Sequence, residues 1–176
     1  KIQHGTPSGI DNNVIAHQKP VYYQAGNPLE FLHIEQPTHW VIADTGIKAS
    51  TRETVADVRK LYQVDQKTIS EVFTAIGKIS TNARQHLING DLTQLGDLLN
   101  ENQQLLERLT VSSQELDALV KIARAAGAAG AKLSGGGRGG NIIALASPGK
   151  IEQIQAALHE GGARQVFSTI LNKGRD

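Results

Sequence analysis

Gly130-Ala131-Lys132-Leu133-Ser134-Gly135-Gly136-Gly137-Arg138-Gly139-Gly140-Asn141-Ile142-Ile143-Ala144-Leu145 decides the fold of this 176-residue chain. Two β-compatible runs, residues 131–134 and 141–145, flank a connection holding five glycines in six positions. A plain hairpin needs about two to five connecting residues and one or two glycines, so this loop holds more glycine than turning requires. Excess glycine signals close backbone approach. Amides freed of side chains can surround phosphate oxygens or press against another phosphate-binding loop. A loop that is merely tight or flexible is the competing alternative. The stretch is not a Walker A loop, because the Gly-Lys-Ser/Thr ending is missing. Nor is it a dinucleotide fingerprint, because a strand follows it and not a helix.

Outward from that hairpin, Pro148 opens a predicted helix with Ile151, Ile154, Ala157 and Leu158 on one stripe. Gly161-Gly162 stops it, and residues 166–171 read as a last strand. Upstream, a 3.6-residue period sets in at Thr51. Val55, Val58, Leu61 and Tyr62 form one stripe; Ile69, Val72, Phe73, Ile76, Ile79, Ala83 and Leu87 form a longer one. Asn89-Gly90-Asp91 ends that helix and caps the next, which carries Leu92, Leu95, Leu98, Leu99, Leu106 and Leu109. A fourth helix begins at an Ser113 N-cap. Trp40-Val41-Ile42-Ala43 is a strand before the helices. The order from Trp40 is strand, helices, strand, strand, helix, strand. This is an α+β ferredoxin-like split βαβ unit (βαββαβ), its first crossover enlarged into several helices. A hairpin from residues 21–23 and 31–34 around Gly26-Asn27-Pro28, and a turn leading into a short helix over residues 4–17, precede it.

Composition narrows the function classes. The 39% apolar content supports one substantial domain, and the net charge of +1 gives no nucleic-acid or membrane surface. The absence of cysteine excludes disulfides, thiolate nucleophiles and Cys-based metal sites, and fits an intracellular origin. Methionine is also absent, and the chain opens on Lys1-Ile2-Gln3-His4-Gly5, as expected of a cut within a longer protein. No apolar run is long enough for a membrane span, and no signal-peptide pattern is present. The six histidines show no metal-site spacing. Trp40 and the tyrosines are too few for a base-stacking platform.

Two further stretches carry chemistry. In His4-Gly5-Thr6-Pro7-Ser8-Gly9-Ile10-Asp11-Asn12, Ser8-x-x-Asp11 reads locally as a capping box. The same carboxylate, at a helix N-terminus beside two glycines, can instead accept a proton from a substrate hydroxyl. In Asp44-Thr45-Gly46-Ile47-Lys48-Ala49-Ser50-Thr51-Arg52-Glu53, a strand end meets a helix capped at Ser50 or Thr51. Lys48, Thr51 and Arg52 bring cationic and hydroxyl groups to that strand terminus.

Taken together and in this order, the three stretches resemble the mevalonate kinases of the GHMP kinase superfamily, across essentially the whole chain. The His4–Asn12 segment is similar to the one that carries the family's catalytic aspartate, and residues 132–140 to its third signature motif. The resemblance implies a GHMP kinase C-terminal domain over residues 37–176. Residues 1–36 would be a remnant of the N-terminal domain, comprising the short helix and the hairpin. It implies ATP-dependent phosphorylation of mevalonate at its C5 hydroxyl, with Asp11 as base. His4, Gly5, Ser8, Thr51 and Gly136 would line the substrate side. Ser134, Gly135, Gly137, Arg138 and Gly139 would support the phosphate loop. Arg138 stands where many relatives carry a small residue, which leaves its role open. The family's active-site lysine, its Gly-Leu-Gly-Ser-Ser phosphate loop and its magnesium ligands have no counterpart here. The resemblance therefore implies Mg2+ and ATP with their main ligands elsewhere, no metal ligand in this chain, and an isolated fragment without turnover. An apolar face is expected where the other half would pack. Implied partners are mevalonate and ATP in the cytoplasm, without nucleic acid or membrane; a homodimer stays open. Another GHMP kinase, such as phosphomevalonate kinase, and a noncatalytic ferredoxin-like ligand- or protein-binding module are the alternatives.

Overall fold

A computed structural model of the chain describes residues 20–172, so the short helix expected over residues 4–17 lies outside the described part. Strand β1 (Val21–Tyr22) pairs antiparallel with β2 (Glu30–Phe31) in a separate two-stranded sheet. The predicted second strand stops short: Leu32 and Ile34 are buried, but outside the ladder. Gly26, at a φ of +85°, turns the chain between the two strands.

The main sheet contains β3 (Thr38–Asp44), β4 (Gly130–Ser134), β5 (Asn141–Ala146) and β6 (Gln165–Leu171) in the order β4-β5-β3-β6, antiparallel throughout. Between β3 and β4 run α1 (Thr51–Val64), α2 (Gln66–Asn89), α3 (Leu92–Arg108) and α4 (Gln114–Ala125). Between β5 and β6 a 3-10 turn (Pro148–Lys150) leads into α5 (Ile151–Glu160). The expected βαββαβ order with an enlarged first crossover is the observed one.

Helix boundaries follow local chemistry. Ser50 Oγ accepts from Glu53 N, Asp65 from Thr68 N, Asp91 from Gln94 N and Ser113 from Leu116 N, each satisfying an orphan first-turn amide. Gly90 closes α2 in the left-handed conformation that a side chain would disfavour.

One sheet face, with Val41, Ala43, Ala131, Leu133, Ile142 and Ala144, is sealed by Leu116, Leu119, Val120 and Ala123 of α4 and Ile154 and Leu158 of α5. Each fully buried aliphatic side chain contributes about 1.5–3 kcal/mol relative to exposure. On the opposite face Leu95 and Leu99 of α3 pack on Leu145, with Trp40, Ala83 and Leu87 around them. A separate cluster ties Ile69, Val72 and Ile79 of α2 to Leu105 and Leu109, with Leu61 and Tyr62 of α1 against it. The hairpin is held to α2 by the Glu30–Arg84 ion pair, with Arg84 over the Tyr22 ring at 5.3 Å.

Helix α3 also guards the open edge of β4. Asn100 Oδ1 accepts from Ala131 N at 3.2 Å and Gln103 Oε1 from Leu133 N at 2.8 Å, so side-chain amides occupy the edge donors that a further strand would otherwise use. Glycines permit this approach: a Cβ on Gly130 would strike the Gly96 carbonyl oxygen, and one on Gly96 would lie 2.5 Å from the Ala129 carbonyl oxygen. Gln103 is 2% exposed, and its Nε2 donates to Asp117 at 3.0 Å and Ser112 at 3.2 Å, which leaves this buried amide satisfied.

Two glycine substitutions therefore have opposite signs. Gly96→Ala gains about 1 kcal/mol of helix propensity but forces α3 from β4, at a cost of about 1–3 kcal/mol or more. We expect its urea midpoint to fall. Gly77→Ala, in α2 with no atom within 4 Å of the added methyl, should stabilise by about 0.5–1 kcal/mol. A raised midpoint for Gly96→Ala would show that α3 can retreat freely.

Candidate functional site

The sheet topology gathers the sequence-predicted groups at one end. Antiparallel pairing sets Asp44, the last residue of β3, opposite Asn141, the first of β5, and Asn141 opposite Ser134, the last of β4. The 44–51 stretch and the glycine loop thus leave the sheet side by side, although about ninety residues separate them in sequence.

Backbone and hydroxyl contacts join the two. Thr45 N and Thr45 Oγ1 both donate to the Gly140 carbonyl, at 2.9 and 3.0 Å, and Gly140 N donates to the Ile47 carbonyl at 2.9 Å. Asp44 Oδ1 accepts from Gly46 N at 2.9 Å, holding the turn that delivers the chain to α1. Thr51, the first residue of α1, then lies directly against Gly136: a Cβ on Gly136 would collide with Thr51 Oγ1. The helix N-terminus, with its partial positive charge, accordingly points at the loop.

The glycine excess now has a specific cause. A Cβ on Gly137 would strike the Val111 carbonyl oxygen, and one on Gly139 would sit 2.5 Å from that of Ile47. Gly135 and Gly140 face open space but hold φ values of +98° and +77° that favour glycine. Three glycines are thus set by close packing and two by backbone conformation. The loop is tight, and the amides of Gly136, Gly137 and Gly139 have no carbonyl partner among the described residues. Such amides beside a helix N-terminus fit the oxygens of a phosphate.

Arg138, whose role the sequence leaves open, is the fastening at the loop tip. Its backbone N donates to the Val111 carbonyl at 2.8 Å, its Nε to the Thr110 carbonyl at 3.1 Å, and its Nη1 to Asp57 Oδ2 at 2.6 Å. The Arg138 guanidinium, with Lys60 assisting, holds the Asp57 carboxyl below the usual carboxylate range.

Lys132 precedes the loop on the half-buried sheet face it shares with Ile143, its pairing partner. Its Nζ donates to the Leu133 carbonyl at 2.6 Å, and burial pushes its pKa down to about 8. No carboxylate pairs with it among the described residues.

Of the predicted site residues, Thr51, Ser134, Gly135, Gly136, Gly137, Arg138 and Gly139 fall in this one locus. His4, Gly5, Ser8 and Asp11 lie outside the described residues. Ile47, Asp57, Thr110 and Val111 carry no signal in the sequence, because three of them act through main-chain carbonyls and Asp57 looks like any exposed helix residue. Among the described residues no group of three or more His, Asp or Glu side chains could hold a metal ion. Two grooves lie elsewhere. One of about 750 Å³ separates the β1 hairpin from α2, and one of about 520 Å³ lies over Val55, Val58, Tyr62 and Phe73, the last partly exposed.

Residues 83–164 match the family described as GHMP kinases C terminal. The mevalonate kinase of Pyrococcus horikoshii is 38% identical over 177 residues, covering 97% of this chain and 51% of that protein. The crystal structure of L. major mevalonate kinase in complex with R-mevalonate superposes with a TM-score of 0.92 at 34% identity, over 98% of this chain and 55% of that one. Mevalonate kinase from methicillin-resistant Staphylococcus aureus matches at 30% identity with a TM-score of 0.69, over 97% of this chain and 54% of that one. The chain spans about half the length of the curated relatives it matches.

The half-buried Lys132 gives the fold a pH signature. A lysine has an ordinary value of 10.5 and here about 8, so between those values the unfolded chain holds a proton that the folded chain has released. Stability should therefore rise with pH across that window. Lys132→Met should remove this component while remaining at least as stable at pH 7. Denaturant unfolding from pH 7 to 10.5 checks it, and an equal rise in both proteins would contradict the assignment.

Proposed function

The chain belongs to the GHMP kinases through its C-terminal domain, and from that premise we propose that it serves the transfer of the γ-phosphoryl group of ATP to the C5 hydroxyl of mevalonate. The observation that carries this is the seating of Gly136 on Thr51. It lays the unpartnered loop amides beside the N-terminus of α1, where developing negative charge on a phosphoryl group is stabilised. Phosphoryl transfer asks a protein mainly for positioning and for stabilisation of charge. A loop clamped by neighbouring carbonyls supplies the first, and its free amides with the helix end supply the second.

Thr51 Oγ1 is the hydroxyl that would meet the acceptor or a phosphate oxygen. Asp11, in its His-Gly-Thr-Pro-Ser-Gly-Ile-Asp-Asn setting, would orient the mevalonate hydroxyl and take its proton, with His4, Gly5 and Ser8 beside it. A carboxyl group with an ordinary pKa of about 3.9 is ionised at neutral pH but weakly basic, so orientation of the hydroxyl precedes proton loss. Ser134, Gly135, Gly137, Arg138 and Gly139 would keep the loop in place around the phosphates. Magnesium, when bound to ATP, neutralises charge on the phosphates, and its ligands would come from outside the described residues. Residues 1–36 would form the substrate side and 37–176 the C-terminal domain; the separate two-stranded sheet supports that division. No described helix is long and apolar enough to cross a membrane.

In the full-length protein, Asp11→Asn should lower mevalonate phosphorylation by about 10²–10⁴-fold without changing the unfolding midpoint. Near-normal turnover would remove Asp11 from the mechanism. Steady-state rates with mevalonate, phosphomevalonate, galactose and homoserine test the acceptor. Mevalonate should have the highest kcat/KM, and a preference for any of the others would overturn the substrate assignment.

A further inference from the structure

We infer that Arg138 is a positioning residue that locks the glycine loop onto α1 through Asp57, so that the orientation of the phosphate-facing amides depends on this pair. The consequence for turnover rests on the kinase function proposed above, whereas the lock itself stands on geometry alone.

Thr110 and Arg138, with φ values of 57° and 58°, are the two non-glycine residues at positive φ among the described residues. Both sit in a conformation that a side chain disfavours and glycine tolerates, Thr110 in the α3–α4 connection and Arg138 in a loop whose five remaining positions from 135 to 140 are all glycine. They are bonded to each other, Arg138 Nε donating to the Thr110 carbonyl at 3.1 Å. An arginine kept at such a backbone position gains something from its side chain that glycine would lose. That gain is the fork: one guanidinium nitrogen fixes the α3–α4 connection, and another reaches Asp57 Oδ2 on α1 at 2.6 Å.

The reach to α1 matters because of where Asp57 lies. Thr51 and Asp57 are six residues apart, about 9 Å along the helix axis. Helix α1 thus touches the loop at two separated points, Thr51 on Gly136 and Asp57 on Arg138. The Val111 and Ile47 carbonyls hold the loop backbone at Arg138 N and Gly140 N, but of the contacts to α1 itself only the one through Asp57 reaches the loop tip. Asp57 is also steadied by Lys60 Nζ at 2.9 Å, which holds the carboxylate on this face of the helix. Exposed ion pairs add little to global stability, so the expected effect of the lock is local.

The test compares the full-length wild-type protein with Arg138→Gly, Asp57→Asn and the double variant, by amide hydrogen exchange over residues 135–140 and by steady-state kinetics. Each single variant should speed exchange at position 138 and at Gly140 by about tenfold or more. The double variant should add little to either, as expected for residues acting as one unit. The melting temperature should change little, because glycine relieves the strained position. Arg138→Lys, which keeps a charge but loses the fork, should resemble Arg138→Gly. In kinetics, kcat/KM for ATP should fall about fivefold, with KM for mevalonate much less affected. Unchanged loop exchange in both single variants, or additive effects in the double variant, would overturn the lock. Faster exchange with unaltered ATP kinetics would overturn the positioning role. A wild-type protein that phosphorylates none of the four acceptors would instead refute the kinase function, while the exchange data would still decide the lock.

Discussion

The close passage of α3 over β4 is the contact on which the rest of the structure depends. Only because residues 96 and 130 are both glycine can two main chains meet with a carbonyl where a side chain would be. That approach lets Asn100 and Gln103 occupy the edge donors of β4, which would otherwise invite pairing with another chain. It also fixes the end of α3, and therefore the Thr110–Val111 connection, beside the glycine loop that leaves the same strand. The carbonyls that pin Gly137 and Arg138 are delivered by the packing that protects the sheet edge.

The loop is accordingly a different object from the one that its glycine content suggests. Glycine is usually associated with freedom, yet here three of the five glycines are required because protein atoms crowd the space a side chain would need. Crowding makes the loop a bracket, packed where it meets Ile47, Thr51 and Val111 and exposed at Gly135 and Gly136. The strained pair Thr110 and Arg138 lies on the crowded side, so the conformational cost is held by the support and not by the amides themselves.

The fold could be read closely from the sequence because its signals are local. The Ser50 and Ser113 caps, the Gly90 stop and the change of period at Thr51 each act over a few residues, and the structure follows them. The second hairpin strand fell short because Leu32 and Ile34 are buried by packing and not by ladder pairing, which apolar pattern alone does not distinguish. The candidate site was legible in part. Thr51 and the glycines announced themselves by residue type, whereas Ile47, Thr110 and Val111 act through carbonyls that every residue possesses. Asp57 carries no pattern at all, since its partner is eighty-one positions away.

If the bracket is what receives phosphate, the amides that the fold leaves unpartnered should be the ones that respond to it. The most direct measurement is an NMR titration of the full-length protein, labelled at glycine, threonine and arginine nitrogens, with a nonhydrolysable ATP analogue. The account predicts large shifts at Gly136, Gly137 and Thr51 and small ones at Arg138 and Gly140, whose amides are already given to the Val111 and Ile47 carbonyls. Saturable binding of the analogue with no shift at Gly136 or Gly137 would contradict it.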